Sequence, residues 1–401
     1  MRRSTLAIAL VAAFISYLGT PATVKAGGYD EVDLVVNKSP LTDKNGHVHK
    51  GQVDSHLLNP WGIAESSGSP FWVSDNNAGV ATLYNVPASG KLTVNPLVVS
   101  IPSPGDPTGN GGAPTGAVFN IDGGATGGFK ISGVNRDGKD VTASAVFLFA
   151  TEDGTIVGWN PGVGSSRFSF NGPNGVSTQG IIAVDNSGNN FTVPTGATGA
   201  VYKGLAISKD ASGMTRLYAT NFRSGVVEMY KDDFHALTSP PAFVDPQHLP
   251  DSYAPFNVAV LNGAVFVTFA KQDAAKHDPV AGEGHGFVDV FELDGTFRQR
   301  FAQHGQLNSP WGVAQAPIGF GALGGALWIG NFGNGHINAF NLDSGEFLDK
   351  VRDSNGQAIV IDGLWALQVG NSGNGGLANT LYFTAGPNGE TDGLFGSLNP
   401  H

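Results

Sequence analysis

The sequence predicts an all-β chain wound into a six-bladed β-propeller of four-stranded antiparallel blades, and three observations predict it. Composition is the first: 58 Gly and 23 Pro, with only 14% of residues charged, make turns frequent and helices scarce. A recurring phrase is the second. LNPWGIA (Leu58 to Ala64) returns as LNSPWGVA (Leu307 to Ala314), and weaker copies stand at PTGAVFN from Pro114, YKGLAIS from Tyr202, APFNVAV from Ala254 and DGLWALQV from Asp362. Aligned on Trp61, Gly116, Gly204, Phe256, Trp311 and Trp365, the copies are evenly spaced except for one swollen step between Gly116 and Gly204. The third is the pattern after each phrase, where short aromatic and β-branched segments alternate with Gly, Asn and Asp turns.

Each phrase reads as the first strand of a blade, with starts near residues 57, 114, 201, 254, 308 and 362. The second strands are PFWVSDN, VFLFATED, RLYATNF, VFVTFAKQD, ALWIGNF and TLYFTAG; the third are VATLYNV, TIVGWNP, GVVEMYK, GFVDVFE, HINAFNL and GLFGSL. Fourth, edge segments follow in units one, three, four and five, as LTVNPLVVSI, AFVDP, TFRQRFA and EFLDKVR. The sixth unit has none, while EVDLVVN (Glu31 to Asn37) is an orphan before the first. The two gaps fill each other, so the N-terminal strand is expected to complete the last blade. A propeller also suits a chain longer than one core sustains, because each blade buries its faces against its neighbours. Gly/Asn-rich insertions at about 121–145 and 165–200 account for the swollen second unit and read as an extra hairpin and long loops. One domain is expected over 27–401.

Residues 1–26 read as a cleavable signal peptide, with Arg2 and Arg3 before an apolar run from Leu6 to Leu18. The run is too short for a membrane anchor, so a secreted or periplasmic monomer is expected, by general or twin-arginine export. The absence of cysteine fits an oxidising compartment. The formal charge of −11 argues against nucleic acid and anionic membranes as partners and admits a cationic ligand.

The segments DNNAGVATLY, FATEDGTIVGWNP, VYKGLA, SYAPFNV, GNFGNGHINAF, DGLWAL and TLYFTAGPNGETDGLFG together resemble a family of functionally uncharacterised secreted bacterial proteins of about this length. The resemblance covers nearly all of 27–401; it implies the propeller and no activity. A looser likeness, to NHL-like and gluconolactonase-like blades, rests on blade pattern alone and carries over no ligand residues.

Side chains at the second-strand ends should reach one face of the ring, around the channel. They read Asp75-Asn76-Asn77, Glu152-Asp153, Asn221, Lys271-Gln272-Asp273, Asn331 and Pro387-Asn388. Carboxylates and amides are hard ligands, so Asp75, Glu152, Asn221 and Asn331 form a candidate site for a divalent cation, Ca²⁺ or Mg²⁺. The competing reading is turn chemistry, since Asp and Asn bond their own backbone. One excursion, KQDAAKHDPVAGEGHG (Lys271 to Gly286), holds more than a turn needs. Asp273, His277 and His285 are its candidates for acid–base catalysis. Lys271, Asp278 and Glu283, with Asn76 and Asp153, are candidates for ligand binding. His56 is a further candidate for the same mouth. Trp61, Phe256, Trp311 and Trp365 are expected to fill the wedges between blades. His47 and His49 stand in coil before the first blade. GFGALG (Gly319 to Gly324) imitates a dinucleotide fingerprint without the helix that would receive a phosphate, and NRDGKD (Asn135 to Asp140) reads as a hairpin turn.

Two functions follow. The first is an exported module that binds a small molecule, a glycan or an exported protein through its loop-rich face. The alternative is a metal-dependent hydrolase of the lactonase or esterase type, with its cation in the central channel.

Overall fold

A computed structural model describes residues 27–89, 91–125, 127–188, 195–238 and 242–401; residues 1–26, which the sequence reads as a signal peptide, lie outside them. Six antiparallel sheets form a six-bladed β-propeller. The first blade runs Pro60–Ala64, Phe71–Asp75, Val80–Asn85 and Thr93–Val94, and Val99–Ser100 also pairs with its third strand. Blade four runs Tyr253–Leu261, Ala264–Lys271, Phe287–Phe291 and Phe297–Gln303. Blade five runs Pro310–Gln315, Leu327–Asn331, Ile337–Phe340 and Phe347–Lys350. In blade six, Leu364–Val369, Leu381–Ala385 and Leu394–Pro400 are completed by Tyr29–Val36, with Tyr29 opposite Pro400 and Val36 opposite Leu394. The ring therefore closes through the N-terminal strand.

Blades two and three depart from the repeat. In blade two, Pro114–Phe119, Phe147–Thr151 and Thr155–Trp159 take Ile181–Asp185, from within the Gly/Asn-rich stretch, as the fourth strand. The extra hairpin pairs Lys130–Val134 with Asp140–Ser144, and its turn is bonded by Asn135 Oδ1 to the amides of Asp137 and Lys139. Blade three has three strands among the described residues, Tyr202–Lys209, Thr215–Asn221 and Val226–Lys231. The expected edge segment AFVDP is not a strand. Phe243 takes a left-handed φ of 57° and wedges its ring between Tyr218 and Phe291, and Asp245 is drawn to Arg300 of blade four. A ring and a charge that reach the next blade outweigh one more edge pairing.

Six apolar clusters pack the molecule; five join neighbouring blades and the sixth gathers residues of five blades on the axis. Trp72, Phe147, Phe149 and Trp159 meet between blades one and two; Trp328, Phe383 and Leu364 meet between five and six. Alternating strand residues thus bury both faces of every sheet.

All six innermost strands break register at one place, between Pro60 and Ile63, Pro114 and Ala117, Tyr202 and Gly204, Pro255 and Asn257, Pro310 and Gly312, and Leu364 and Leu367. Such a bulge re-aims a side chain. The residues at the break are Trp61, Thr115, Lys203, Phe256, Trp311 and Trp365. In blades two and three the equivalent position is therefore Thr115 and Lys203, one residue before the glycines on which the repeat aligns. Those glycines have their own reason. A Cβ at Gly62 would stand 2.5 Å from the Thr115 carbonyl oxygen, and one at Gly116 2.3 Å from the Leu205 nitrogen. At these two places adjacent bulges touch backbone to backbone, and only glycine permits it. Blades four and six have Asn257 and Ala366 there instead, and Asn257 Nδ2 donates to the Trp311 carbonyl at 2.7 Å.

Candidate functional site

The bulge residues meet on the axis. Trp61 and Trp365 stack with ring centroids 3.5 Å apart, and Trp311 stands edge-on to both, at 6.1 and 5.7 Å. Phe256 lies 5.9 Å from Trp365, and Phe332 stacks on its other side at 4.1 Å. These rings plug the channel itself rather than filling wedges between blades, which corrects the expectation. Lys203 takes the place of one aromatic. Its side chain is 1% exposed, and its Nζ lies 5.0 Å from the Trp61 ring centre and 5.9 Å from that of Phe222.

Above the plug, on the face where second strands end, a polar network surrounds that ammonium group. Lys203 Nζ donates to Glu152 Oε1 and, at 3.3 Å, to Asp278 Oδ1. Asn76 Nδ2 donates to Glu152 Oε2 at 2.9 Å. Asn59 Nδ2 donates to Glu390 Oε2 at 2.8 Å, while Asn59 Oδ1 accepts from Trp365 Nε1 at 2.9 Å. His277 Nδ1 bonds Asp278 Oδ1 at 2.8 Å. Ligand atoms of Glu152, His277 and Asp278 all lie within 4.8 Å of one another.

Two carboxylates, Glu152 and Asp278, thus share one lysine, and the Glu390 carboxyl lies close enough to feel the charge of all three. Burial pushes the Glu390 carboxyl above its ordinary range, opposed by the Asn59 hydrogen bond and reinforced by the Glu152 charge. Asp278 is held well below the usual range, first by the His277 hydrogen bond and then by Lys203, against its partial burial. Burial also raises Asp153, whose Oδ2 accepts from the Ala113 amide at 2.7 Å.

The register places the second-strand ends on one face: Pro60 pairs with Asp75, Pro114 with Thr151, Tyr202 with Asn221 and Pro310 with Asn331. The proposed cation ligands nevertheless do not converge. Asp75 is fully buried inside blade one, where Oδ2 accepts from Thr82 Oγ1 at 2.7 Å. Asn221 bonds Glu228 Oε1 and the Ser224 and Val201 amides; Asn331 donates to the Gln306 carbonyl and to Asn334. Only Glu152 reaches the axis. The cause is strand parity: the last strand residue turns into its blade, and the next one, Asn76 or Glu152, turns to the channel.

The Lys271–Gly286 loop is divided likewise. His277 and Asp278 reach the mouth. Asp273 Oδ1 caps its own turn by accepting the His277 amide at 2.8 Å, and His285 Nδ1 bonds the Val280 carbonyl at 3.0 Å. Lys271 contributes its backbone carbonyl to the Val280 amide. Glu283 is exposed in a groove with Asn308, His336 and Lys350. His56 Nδ1 bonds Asp54 at 3.0 Å, and His49 Nδ1 bonds Asp33 of the closing strand at 2.8 Å. Sequence reasoning missed Lys203, Asn59 and Glu390. A signal for Lys203 existed in the phrases PWG, PTG, YKG and PWG, which align the lysine with tryptophan.

No family model matches the chain. Among curated proteins, an uncharacterized protein of Acanthamoeba polyphaga mimivirus is 31% identical over 362 residues, covering 88% of this chain and 83% of its own length. Another from the same virus is 29% identical over 352 residues, covering 86% and 76%. These relatives are viral, so they lend no support to a bacterial source. Among solved structures, the PQQ-bound aldose sugar dehydrogenase of Streptomyces coelicolor aligns at a TM-score of 0.46 and 13% identity, over 94% of this chain and 99% of that one. A streptogramin B lyase aligns at 0.42 and 11%, over 94% and 98%. Likenesses this distant carry no statement about activity.

Proposed function

Because the chain belongs to one family with these uncharacterized mimivirus proteins, which bring no activity with them, we propose a function from the site itself: a module that binds a small organic cation at the axial mouth. The observation that supports it is the surplus of acid at the mouth: Glu152 and Asp278 bond the single buried ammonium group of Lys203, and Glu390, held by Asn59, stands near them. An amine entering beside Lys203 finds Glu390 and the outer oxygen of Asp278, while Asn59 and Asn76 hold their carboxylates in place. The net charge of −11 favours approach of a cation. Export as a monomer, with the leader in 1–26, belongs to the same proposal. Calorimetric titration with glucosamine and glucose tests it. Saturable binding of the amino sugar, weakened by salt and by Glu390→Gln, is expected; equal binding of glucose, or none of either, would sink the idea.

A metal-dependent hydrolase is the second reading, favoured by the proximity of Glu152, His277 and Asp278. Lys203 already supplies positive charge to two of those three, which weighs against a resident divalent ion. Lys203→Met should therefore gain divalent-cation affinity under the amine reading. Under the hydrolase reading, the unaltered protein already binds the metal tightly.

A further inference from the structure

The channel has another end. Beyond their bulges the innermost strands run on towards the opposite face and line an open-ended cavity of about 350 Å³. Ile63, Val118, Leu205, Val258, Val313 and Leu367 line its wall, and Trp311 lines it at the level of the bulges. That tryptophan packs against Trp61 and Trp365, so the aromatic plug separates this well from the charged mouth. Further along the strands stand Glu65 and Gln368, where Gln368 Nε2 donates to Glu65 Oε1 at 3.4 Å. Glu65 Oε2 is buried against Gly375, where an added Cβ would stand 2.2 Å from it, so Oε1 and the Gln368 amide are the polar groups nearest the well. Glu65 is the only titratable side chain among the lining residues.

These features are those of a small-molecule site rather than of a packing defect. Ligand pockets begin at about 300 Å³ and combine apolar walls with a few polar groups. An apolar cavity of about 150 Å³ already stays dry and takes up benzene. The well is too small for a folded segment of another protein, and its lining holds no cationic side chain that could pair with an anionic ligand. Burial raises the Glu65 carboxyl to about 8, so near neutral pH it is largely protonated and offers a donor rather than a charge.

We propose that this well is a second binding site, taking a small uncharged apolar molecule with one hydroxyl, such as a medium-chain alcohol, its hydroxyl at Glu65 and Gln368 and its chain towards Trp311. The site is independent of the mouth and of any ligand bound there.

The test titrates the purified protein at pH 7 with 1-octanol and, separately, with octanoate, reading tryptophan fluorescence and ligand-observed NMR. Octanol should saturate with a change in fluorescence, and octanoate should bind at least tenfold more weakly. Val258→Phe and Leu367→Phe fill the well from blades four and six; whichever keeps the wild-type circular dichroism should lose octanol at least tenfold while still binding glucosamine as the wild type does. The absence of saturable octanol binding to the wild-type protein would overturn the proposal. So would equal binding by a folded, filled variant, or octanoate binding as tightly as octanol.

Discussion

The two ends of the channel are made by the same six innermost strands, yet one gathers charge and the other excludes it. The difference begins at the bulge. On the mouth side of the plug lie strand starts and second-strand ends, where the chain turns and Asn, Asp and Glu serve the turns. On the other side the strands continue as regular pleats, and their axis-facing positions are Ile63, Leu205, Val258 and Leu367. A buried lysine is tolerable on the first side because Glu152 and Asp278 reach it; on the second it would have only Glu65. One bulge per blade therefore lets a single repeat build two chemically opposite surfaces.

The sharpest way to break this contrast is to remove the plug. Trp365→Ala deletes a ring that contacts Trp61, Trp311, Phe256 and Phe332, and should cost about 3–5 kcal/mol, read by denaturant unfolding. It should also join the two ends, so that octanol and glucosamine binding become coupled. An unchanged midpoint would mean that the blades stand without the axial rings.

Lys203→Met comes next. It leaves Glu152 and Asp278 without their cation, and a loss of about 3 kcal/mol is expected, the low end for a buried pair because Asp278 is well exposed. Glucosamine should bind roughly tenfold more tightly to the acid left behind. Weaker binding would instead mean that Lys203 touches the ligand directly.

A smaller effect concerns pH. Burial raises Glu65 to about 8 and Glu31 and Asp289 to about 7. Their folded-state values exceed those of the unfolded chain, so their contribution is complete below about pH 4 and is lost as pH rises through 7 to 8. Thermal midpoints measured between pH 5 and 9 should fall, and Glu65→Gln should flatten part of that fall. The smallest effect is expected at His285, whose ring bonds only a local carbonyl. His285→Ala should change glucosamine affinity less than twofold, and a larger loss would return the histidine to the site.

Much of the fold was legible because its signals are local. Turn residues and two-residue alternation mark each strand, and the orphan N-terminal strand announced the closure that Tyr29 and Pro400 make. The site was less legible because it depends on parity at two places. Asp75 and Asn76 are neighbours, yet one is sealed beside Thr82 and the other reaches Glu152. A bulge resets the alternation by one residue, and YKGLAIS read alone does not mark Lys203 as its residue; only set beside PWG does the lysine fall in the place of tryptophan. Asn59 and Glu390, far apart in the chain, meet only once the ring has closed.

That closure has a kinetic consequence. The seam between Tyr29–Val36 and Leu394–Pro400 joins segments separated by nearly the whole described chain, so its loop entropy must be overcome in one step and late. Folding dominated by such non-local pairing is slow. Once zipped, seven residue pairs keep the first and last blades from parting, so the protein should resist unfolding for longer than its equilibrium stability alone would suggest.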